Sequence, residues 1–344
     1  MPQTHNKASL TAVEYCLPDR VLTNEDIAAA HPEWSVEKIY EKTGICRRHI
    51  AAEGETAADL AFRAAEALLD RTGCPREEID LLVLCTQTPD YALPTTACVL
   101  QHRLGLPTTC AAFDYNLGCS GFVYGLAIVK SMLEGGQASK ALLLTADTYS
   151  KWLSPDDKGV LTIFGDGAAA TLVELVDAPD SEPPLGPFVY GTDGGGFDRL
   201  IVPGSGARPI REEDCARMGE GRPKDRLFMD GPEIFTFTIR TVPRTVKALL
   251  ARAACTLKDL DLIVYHQANA YILEYLRNRS KIPVEKFVVE LEGKGNTVSS
   301  TIPIALRDIE MQGRLKPGMR LALVAFGVGY SWAAGLIRWH GRAN

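Results

Sequence analysis

The sequence predicts an α/β protein made of two similar halves. Apolar runs typical of strands alternate with stretches of helical periodicity along the chain, which is the pattern of an α/β fold. The runs are almost uninterrupted by polar residues, as expected of strands covered on both faces, and they lie at residues 80–84, 141–145, 261–265 and 320–324. A chain of 344 residues with 46% hydrophobic and 23% charged residues has enough apolar material for two cores.

The two halves repeat the same order of elements. In each, a strand leads to a helix, a second strand and a glycine-bearing segment, and the helix begins at Cys119 in the first half and at Asn296 in the second. The matching segments are residues 76–84, 119–136, 140–146 and 164–174 in the first half and residues 257–265, 296–313, 319–325 and 326–339 in the second. This repeat predicts two units, residues 1–176 and 177–344, that face each other and each bring a helix N-terminus to the centre.

The segment from Asp177 to Arg226 joins the two units and is rich in proline, glycine and charged residues. We interpret it as the end of the first unit, the first strand of the second unit and a mobile surface loop. Its glycines do not show the G-x-G-x-x-G spacing between a strand and a helix, and the chain has no Walker A sequence. A nucleotide cofactor is therefore not expected.

Charge and hydropathy narrow the functional classes. The formal net charge of −6 argues against nucleic acid as a partner. A local basic patch is still compatible with an acidic carrier protein. The first seven residues lack the apolar segment of a signal peptide, and no apolar run is long enough to span a bilayer. We therefore expect a cytoplasmic protein that does not insert into membranes.

Cys119 lies in a glycine-flanked turn, LGCSGF at residues 117–122, ahead of a stretch with helical apolar spacing. A thiolate attacks a thioester readily and leaves readily, so a cysteine can carry an acyl group between two thiol carriers. The N-terminus of a helix favours the thiolate, and we predict that Cys119 is a nucleophile. The other eight cysteines show no metal-ligand spacing, no C-x-x-C pair and no secretory context. We interpret them as reduced structural residues and expect no metal.

Two polar motifs follow strands in the second half: HQAN, which begins at His266, and GNT, which contains Asn296. Taken singly, a histidine after a strand is more often a satisfied polar residue, and an asparagine after glycine is more often a turn or a helix cap. Together with Cys119, each at the junction of a strand and a helix, they form a set suited to acyl transfer from thioesters.

These motifs resemble those of the β-ketoacyl-acyl carrier protein synthase III family. The resemblance covers nearly the whole chain, through KTGI (42–45), LGCSGF, IFGDGA (163–168), HQAN, GNT and the C-terminal glycine hairpin. It implies a thiolase-like fold, with two similar halves in a five-layered αβαβα arrangement, and a homodimer. It also implies a catalytic site of Cys119, His266 and Asn296 that needs no cofactor besides its thioester substrates.

In this family the cysteine is acylated by a primer thioester, carried on CoA or on acyl carrier protein. Malonyl-acyl carrier protein then loses CO₂, and the resulting carbanion attacks the acyl-cysteine to give a β-ketoacyl product for fatty acid or polyketide-like biosynthesis. The resemblance implies that His266 and Asn296 donate hydrogen bonds to the malonyl thioester oxygen. It assigns the oxyanion hole of the acylation step to the backbone N–H groups of Cys119 and Val328.

Several substrate-binding positions differ from those of the fatty-acid-initiating members. Lys38 and Lys158 stand where the family commonly has a tryptophan and an arginine that clamp the adenine of CoA, and two lysines cannot reproduce that sandwich. Trp34 lies nearby as either a substitute or a packed aromatic residue, and the second interpretation is favoured. Acetyl-CoA is therefore not favoured as the primer.

Carrier docking is the second point of difference. Tyr271 replaces an arginine that usually follows HQAN, near the entrance for the phosphopantetheine arm. The basic residues Arg277, Arg279 and Lys281 follow and are candidates for docking an acidic carrier protein.

Two apolar positions bear on the primer. Val328, in the hairpin Gly327–Gly329, replaces a common glycine, so it keeps its N–H but reshapes the acyl pocket. Leu93 matches a dimer-contact position that closes the acyl tunnel of the partner in this family, usually with an aromatic ring. Leucine there would admit a different or longer primer, which favours a specialised pathway.

Alternatives remain open from the sequence. A family member that moves the acyl group from Cys119 to an alcohol or amine would show the same motifs. A condensing enzyme without decarboxylation usually needs an extra carboxylate near Leu93, where only Asp90 is found, and a thiolase needs a second cysteine within residues 326–339, which contain none. A catalytically silent partner in a heterodimer is disfavoured because all three site residues are present.

Overall fold

The computed structural model describes residues 4–219 and 221–341. The strands are β1 (Thr4–Cys16), β2 (Val21–Thr23), β3 (Arg47–His49), β4 (Leu81–Cys85), β5 (Ala111–Tyr115), β6 (Lys140–Asp147), β7 (Gly167–Pro179), β8 (Leu185–Thr192), β9 (Leu200–Ile201), β10 (Phe228–Met229), β11 (Leu262–Tyr265), β12 (Phe287–Val288), β13 (Arg320–Gly327) and β14 (Ser331–Arg338). The α-helices are α1 (Asn24–Ala30), α2 (Val36–Thr43), α3 (Ala57–Thr72), α4 (Thr96–Arg103), α5 (Gly121–Glu134), α6 (Lys158–Leu161), α7 (Glu212–Cys215), α8 (Gly231–Arg252), α9 (Ala270–Arg279) and α10 (Thr301–Met311).

Two five-stranded sheets have the same topology. The first has the order β1-β7-β6-β4-β5, and the second, read from the opposite edge, has the order β8-β14-β13-β11-β12. In the first sheet β4 runs parallel to β5 and β6, whereas β7 is antiparallel to both β6 and β1. The second sheet repeats these directions strand for strand. The internal repeat predicted from the sequence is therefore confirmed.

The helices form three layers around the sheets. Residues of α5 and α10 share one apolar core with the inner faces of both sheets, so these two helices form the central layer. The outer face of the first sheet packs on α3 and that of the second sheet on α8 and α9. This gives the five-layered αβαβα arrangement that the resemblance implied. Core side chains such as Phe122 and Leu126 are fully buried, and each contributes about 1.5–3 kcal/mol by burial.

The two central helices begin differently. Helix α5 starts two residues after Cys119, close to the prediction. Helix α10 starts at Thr301, five residues after Asn296, so the prediction of a helix headed by Asn296 is wrong in detail. The side chain of Asn296 accepts a hydrogen bond from the backbone of Val298, whose φ is 55°, and this turn postpones the helix. A short 3₁₀ helix, Val298–Ser300, leads into α10.

The segment from Asp177 to Arg226 holds the end of β7 and the whole of β8, in agreement with the interpretation of the sequence. Strand β7 ends at Pro179 and β8 begins at Leu185, so the chain crosses between the sheets within residues 180–184. The division at residues 176 and 177 stays a prediction. Beyond β8, two short strands, β9 and β10, pair with each other, and α7 lies between them in the sequence. Among the described residues, no helix is both long enough and apolar enough to cross a bilayer.

Candidate active site

Cys119 lies at the centre of the molecule, where α5 meets the end of β13. The side chain is buried, with 6% of its surface exposed. A Cβ added to Gly327, the last residue of β13, would lie 2.8 Å from Cβ and 2.9 Å from Sγ of Cys119. Only glycine lets the strand approach the cysteine this closely. A hydrogen bond between the hydroxyls of Ser120 and Ser331 ties the start of α5 to β14.

The thiol of Cys119 is not pre-ionised by its helix, contrary to the expectation from the sequence. Burial and the nearby carboxylate of Asp147 raise its pKa to about 12, although the backbone N–H groups of Cys119 and Val328 act in the opposite direction. Desolvation therefore outweighs the favourable helix terminus. At neutral pH the resting residue is a thiol with two N–H groups beside its sulfur.

His266 follows the last residue of β11 and is held at both backbone and ring. Its backbone N–H donates to Val324 O at 2.8 Å, and its Nδ1 lies 2.7 Å from the hydroxyl of Thr301. The ring meets Phe326 edge to face, with the centroids 5.6 Å apart. Burial lowers the pKa of His266 to about 3, so the imidazole is neutral across the physiological range.

Asn296 is fixed in the loop that follows β12. Its backbone N–H donates to Ile163 O at 2.9 Å, and its carbonyl oxygen accepts from Gly165 N at 3.0 Å. Its side-chain oxygen accepts from the backbone of Val298 at 2.9 Å, which assigns the other end of the amide as the NH₂ group. That nitrogen lies 3.5 Å from Nε2 of His266.

These three side chains line one small cavity. Its volume is about 140 Å³, and most of its other walls are apolar, from residues such as Phe164, Leu200, Met229, Ile234, Ile272 and Phe326. A low-polarity cavity strengthens hydrogen bonds to a developing negative charge. The NH₂ group of Asn296 and Nε2 of His266 are close enough to act on one oxygen. The arrangement suits a thiol nucleophile beside two groups that stabilise an enolate.

The acyl-pocket predictions fall on two different surfaces. Val328 lines a second cavity, of about 450 Å³, beside the start of the loop that leads to Leu93. Leu93 itself projects outward, with 83% of its surface exposed, close to Tyr91 at 58%. Its predicted contact with a partner subunit stays a prediction.

The basic residues proposed for carrier docking lie at the far end of α9. The start of this helix, at Asn269 and Ile272, lines the catalytic cavity. Arg277, Arg279 and Lys281 come at or after its last turn, and Arg277 bonds to Ile282 O at 3.4 Å. Docking at these residues stays a prediction, and the structure does not bring them to the cavity.

The tryptophan near the expected adenine clamp is part of a small core. Trp34 is only 8% exposed and packs with Ile27 and Ile39. The ring of His31 stacks on it at 4.1 Å, and Nζ of Lys158 lies 5.2 Å from its centroid. Trp34 is thus a packed aromatic residue, and the two residues beside its ring, His31 and Lys158, belong to the same chain. Lys38 is exposed.

Sequence reasoning missed three polar residues around the site: Thr301 on His266, and Gln87 and Tyr149 beside the second cavity. Gln87 follows the carboxyl end of β4, where ligands of parallel sheets commonly bind, and this signal could have found it. Thr301 and Tyr149 gave no comparable signal, because their partners lie far away in the chain.

Metal chemistry has no candidate site in the described part of the chain. No group of three or more His, Cys, Asp and Glu side chains is placed to hold an ion there. All nine cysteines are free. A groove of about 720 Å³ lies between α5, β8 and β14 and is not lined by Cys119, His266 or Asn296.

Two segments of the chain match a known protein family. Residues 113–194 match the family described as 3-oxoacyl-[acyl-carrier-protein (ACP)] synthase III, and residues 250–339 match its C-terminal domain. Both site halves fall within the matches, with Cys119 in the first and His266 and Asn296 in the second.

Whole-chain relatives agree with these matches. The chain is 37% identical over 334 residues to β-ketoacyl-[acyl-carrier-protein] synthase III 2 of Streptomyces coelicolor, covering 97% of this chain and 94% of that protein. A crystal structure of a 3-oxoacyl-(acyl-carrier-protein) synthase III is 48% identical, with a TM-score of 0.92, covering 97% of this chain and all of that one. The priming β-ketosynthase of a polyketide biosynthetic pathway is 27% identical, with a TM-score of 0.86 and coverage of 99% and 98%. The fold, the cavity and these relatives together establish that this chain belongs to the 3-oxoacyl-[acyl-carrier-protein] synthase III family, a group of thiolase-fold acyltransferases.

Proposed function

We propose that the chain is a decarboxylating condensing enzyme that joins a primer acyl group to malonyl-acyl carrier protein. The observation that carries the proposal is that the Cys119 thiol, the neutral His266 and the oriented amide of Asn296 line one small cavity. Membership of the synthase III family supports the same reaction.

In the acylation step, the sulfur of Cys119 attacks the primer thioester and displaces the carrier thiol. The proton of the Cys119 thiol leaves with the carrier, so the step exchanges one thioester for another. The N–H groups of Cys119 and Val328 lie beside the sulfur, which supports their proposed role of stabilising the oxyanion. Because the pKa of the resting thiol is about 12, this stabilisation must accompany loss of the proton.

In the condensation step, the malonyl thioester occupies the same cavity with its carbonyl oxygen facing His266 and Asn296. Loss of CO₂ leaves an enolate, whose negative oxygen accepts hydrogen bonds from these two side chains. The enolate carbon attacks the acyl carbonyl, the Cys119 sulfur leaves, and a proton restores the thiol. The product is a β-ketoacyl group on the carrier.

The partners follow from the same reaction. Acyl carrier protein brings the malonyl group, and the primer arrives on CoA or on carrier protein. Arg277, Arg279 and Lys281 remain candidates for docking the acidic carrier, although their place at the end of α9 puts them away from the cavity. We also propose a homodimer, supported by the exposed side chains of Tyr91 and Leu93 beside the edge strand β5.

The test separates the two steps. Intact-protein mass spectrometry follows acyl transfer to Cys119 from a panel of thioesters, and CO₂ release follows addition of malonyl-acyl carrier protein. We expect His266→Ala and Asn296→Ala to form the acyl-enzyme but to release CO₂ about 10²–10³-fold more slowly, since each loses one donor to the enolate. Cys119→Ala should not acylate, and the exposed His102→Ala serves as the matched control.

Other outcomes would identify other functions. An acyl-cysteine that malonyl carrier leaves untouched would indicate transfer to an alcohol or an amine. A protein that no thioester acylates would indicate a silent subunit. Equal CO₂ release by wild type and His266→Ala would contradict the role proposed for the histidine.

A further inference from the structure

A polar cluster lines the second cavity, which Val328 borders and which His266 and Asn296 do not line. The cavity has a volume of about 450 Å³, and its walls combine apolar side chains with Gln87, Asn116 and Tyr149. Asn116 directly follows the carboxyl end of β5, and Gln87 lies two residues after the carboxyl end of the neighbouring parallel strand β4. Cys119 follows Asn116 by three residues, so these side chains and the nucleophile share one edge of the sheet.

Contacts around Gly118 place Gln87 beside the nucleophile. A Cβ added to Gly118 would lie 2.5 Å from Oε1 of Gln87 and 2.5 Å from Cγ1 of Val328. Both side chains therefore pack on the backbone immediately before Cys119. The N–H of Val328 faces the sulfur itself. Val328 also lines the cavity of Gln87, and we infer that an acyl group on Cys119 that extends past Val328 enters that cavity.

The carboxamide of Gln87 is held in one orientation. Its backbone N–H donates to Asp147 at 2.8 Å, which fixes the loop. The hydroxyl of Tyr149, a side chain only 2% exposed, donates to Oε1. The Nε2 group donates to Oδ1 of Asn116 at 3.1 Å. This chain of bonds distinguishes the oxygen of the amide from its nitrogen.

Two kinds of N–H remain for a ligand. An amide nitrogen carries two hydrogens, and among the described residues Nε2 of Gln87 donates only to Asn116. The NH₂ group of Asn116 has no protein acceptor within the same residues. The carboxylate of Asp90, on the cavity wall, accepts from the backbone of Ala58 and lies within hydrogen-bond distance of the Thr56 hydroxyl. Within the polar cluster itself, the groups with hydrogens to spare are the two amides.

We propose that this polar cluster selects the primer. This inference rests on the proposed function: short acyl groups that carry an oxygen, as a hydroxyl or a carbonyl, are used as primers in preference to alkyl groups of the same shape. The oxygen accepts a hydrogen bond from Gln87, with Asn116 beside it. An alkyl primer of equal size displaces water from Nε2 of the partly buried Gln87 and leaves that donor without a partner, whereas the exposed Asn116 keeps its water. A site built to pair a substrate oxygen discriminates strongly against the analogue that lacks it.

The test uses two thioesters of nearly identical shape. A 3-hydroxybutyryl group and a 3-methylbutyryl group differ only in a hydroxyl that replaces one methyl. Each is offered on CoA and on acyl carrier protein, and the rate of mass gain at Cys119 is measured. We expect the hydroxylated primer to acylate wild type at least about tenfold faster. We expect Gln87→Leu to abolish this ratio, whereas Gln137→Leu, at an exposed glutamine after α5, should keep it.

The outcomes separate this inference from the proposed function. Acylation by 3-methylbutyryl at an equal or higher rate in wild type would overturn the inference while leaving the condensing reaction intact. An unchanged ratio in Gln87→Leu would also overturn it. If that variant does not fold, Asn116→Ala, at an exposed residue, supplies the comparison, and its ratio should fall toward one. Failure of every thioester to acylate Cys119 would remove the proposed function and the inference together.

Discussion

At the scale of single residues, the site depends on which ring nitrogen of His266 carries the hydrogen. Thr301 lies 2.7 Å from Nδ1 and 3.2 Å from Val298 O, and its hydroxyl has one hydrogen to donate. When Thr301 donates to Nδ1, the hydrogen of the neutral ring sits on Nε2, beside the NH₂ group of Asn296. While the hydroxyl donates to Val298 O, Nδ1 carries the hydrogen instead. We propose that the condensation step uses the tautomer with the hydrogen on Nε2, which can donate to a thioester oxygen, and that Thr301 is a positioning residue for it.

Thr301→Val keeps the shape of the side chain but removes the hydroxyl. We expect decarboxylation of malonyl carrier to slow about 10–100-fold, as is typical when a supporting partner of a histidine is lost. Acylation of Cys119 should change much less. Thr301→Ser should restore decarboxylation, which distinguishes loss of the hydroxyl from loss of packing. Parallel loss of both steps in the valine variant, without rescue by serine, would contradict this role.

The meeting of Cys119, His266 and Asn296 in one cavity was predictable from the sequence, because each sits in a short motif that follows a strand; their catalytic roles stay a prediction. The ionisation of Cys119 was not predictable. The motif shows the helix terminus that favours the thiolate, but the opposing influences, burial and Asp147, come from the folded core. Likewise, Thr301 is adjacent to His266 only after β11 and α10 have packed together.

At the scale of elements, a buried arginine joins segments that surround the site. Arg48, in β3, is fully buried, and its guanidinium donates to Asn24 Oδ1 at 2.8 Å and to Thr162 O at 3.0 Å. Its Cβ lies under Gly165 and Gly295, on either side of the bridge between Phe164 and Asn296. Burial lowers its pKa to about 10, which leaves it charged at neutral pH.

Arg48→Met keeps an apolar stem of similar length but leaves these acceptors unpaired. We expect the free energy of unfolding to fall by about 2–4 kcal/mol, as measured by urea denaturation, because hydrogen bonds to a charged donor are lost in the core. Arg48→Lys should retain part of this stability, because the single nitrogen of its ammonium group can still donate to some of these acceptors. Stability of Arg48→Met equal to that of wild type would show that the segments are held by packing alone.

Element order was largely predictable, since strands and helices of this kind show their periodicity directly. The positions of β4, β6, β11 and β13 follow the apolar runs closely. The turn after Asn296 was not visible in that pattern, because it depends on one side-chain hydrogen bond to Val298. The small strands β9 and β10 also lacked a signal, as each has only two residues.

At the scale of the whole molecule, one carboxylate ties the two halves together. Asp147 ends β6 of the first sheet and accepts from the hydroxyl of Ser299, in the second half, at 2.6 Å. Burial raises its pKa from 3.8 to about 7. The folded protein therefore holds a proton between about pH 4 and pH 7 that the unfolded chain has already released.

This difference predicts how stability depends on pH. Because the folded state binds the proton more tightly, raising the pH from about 4 to 7 lowers the contribution of Asp147 to the free energy of unfolding. We expect the stability difference between wild type and Asp147→Asn to shift against wild type across this range, measured by urea denaturation at several pH values. Asp259→Asn is the matched control, since the exposed Asp259 has a lowered pKa, is ionised in both states above about pH 4, and should show no shift across this range. A difference independent of pH would contradict this prediction.

The two-half architecture was predictable because the repeat is written into the order of the elements. The way the halves meet was not, because contacts such as Asp147 with Ser299 join residues far apart in the chain. The second cavity could not be predicted for the same reason. Gln87, Tyr149 and Val328 come from three separate segments, and only the folded chain shows that they surround one space.

The depth of the catalytic trio has a consequence for timing. Cys119, His266 and Asn296 are 6%, 2% and 4% exposed, in a cavity of about 140 Å³. An acyl-cysteine is a thioester that hydroxide would cleave, and an enolate carbon takes up any proton that reaches it. A chamber with room for few waters slows both losses. The acyl-enzyme can thus persist from the departure of the primer carrier until malonyl carrier binds. When malonyl groups are scarce, Cys119 stays acylated and the primer is not lost to hydrolysis.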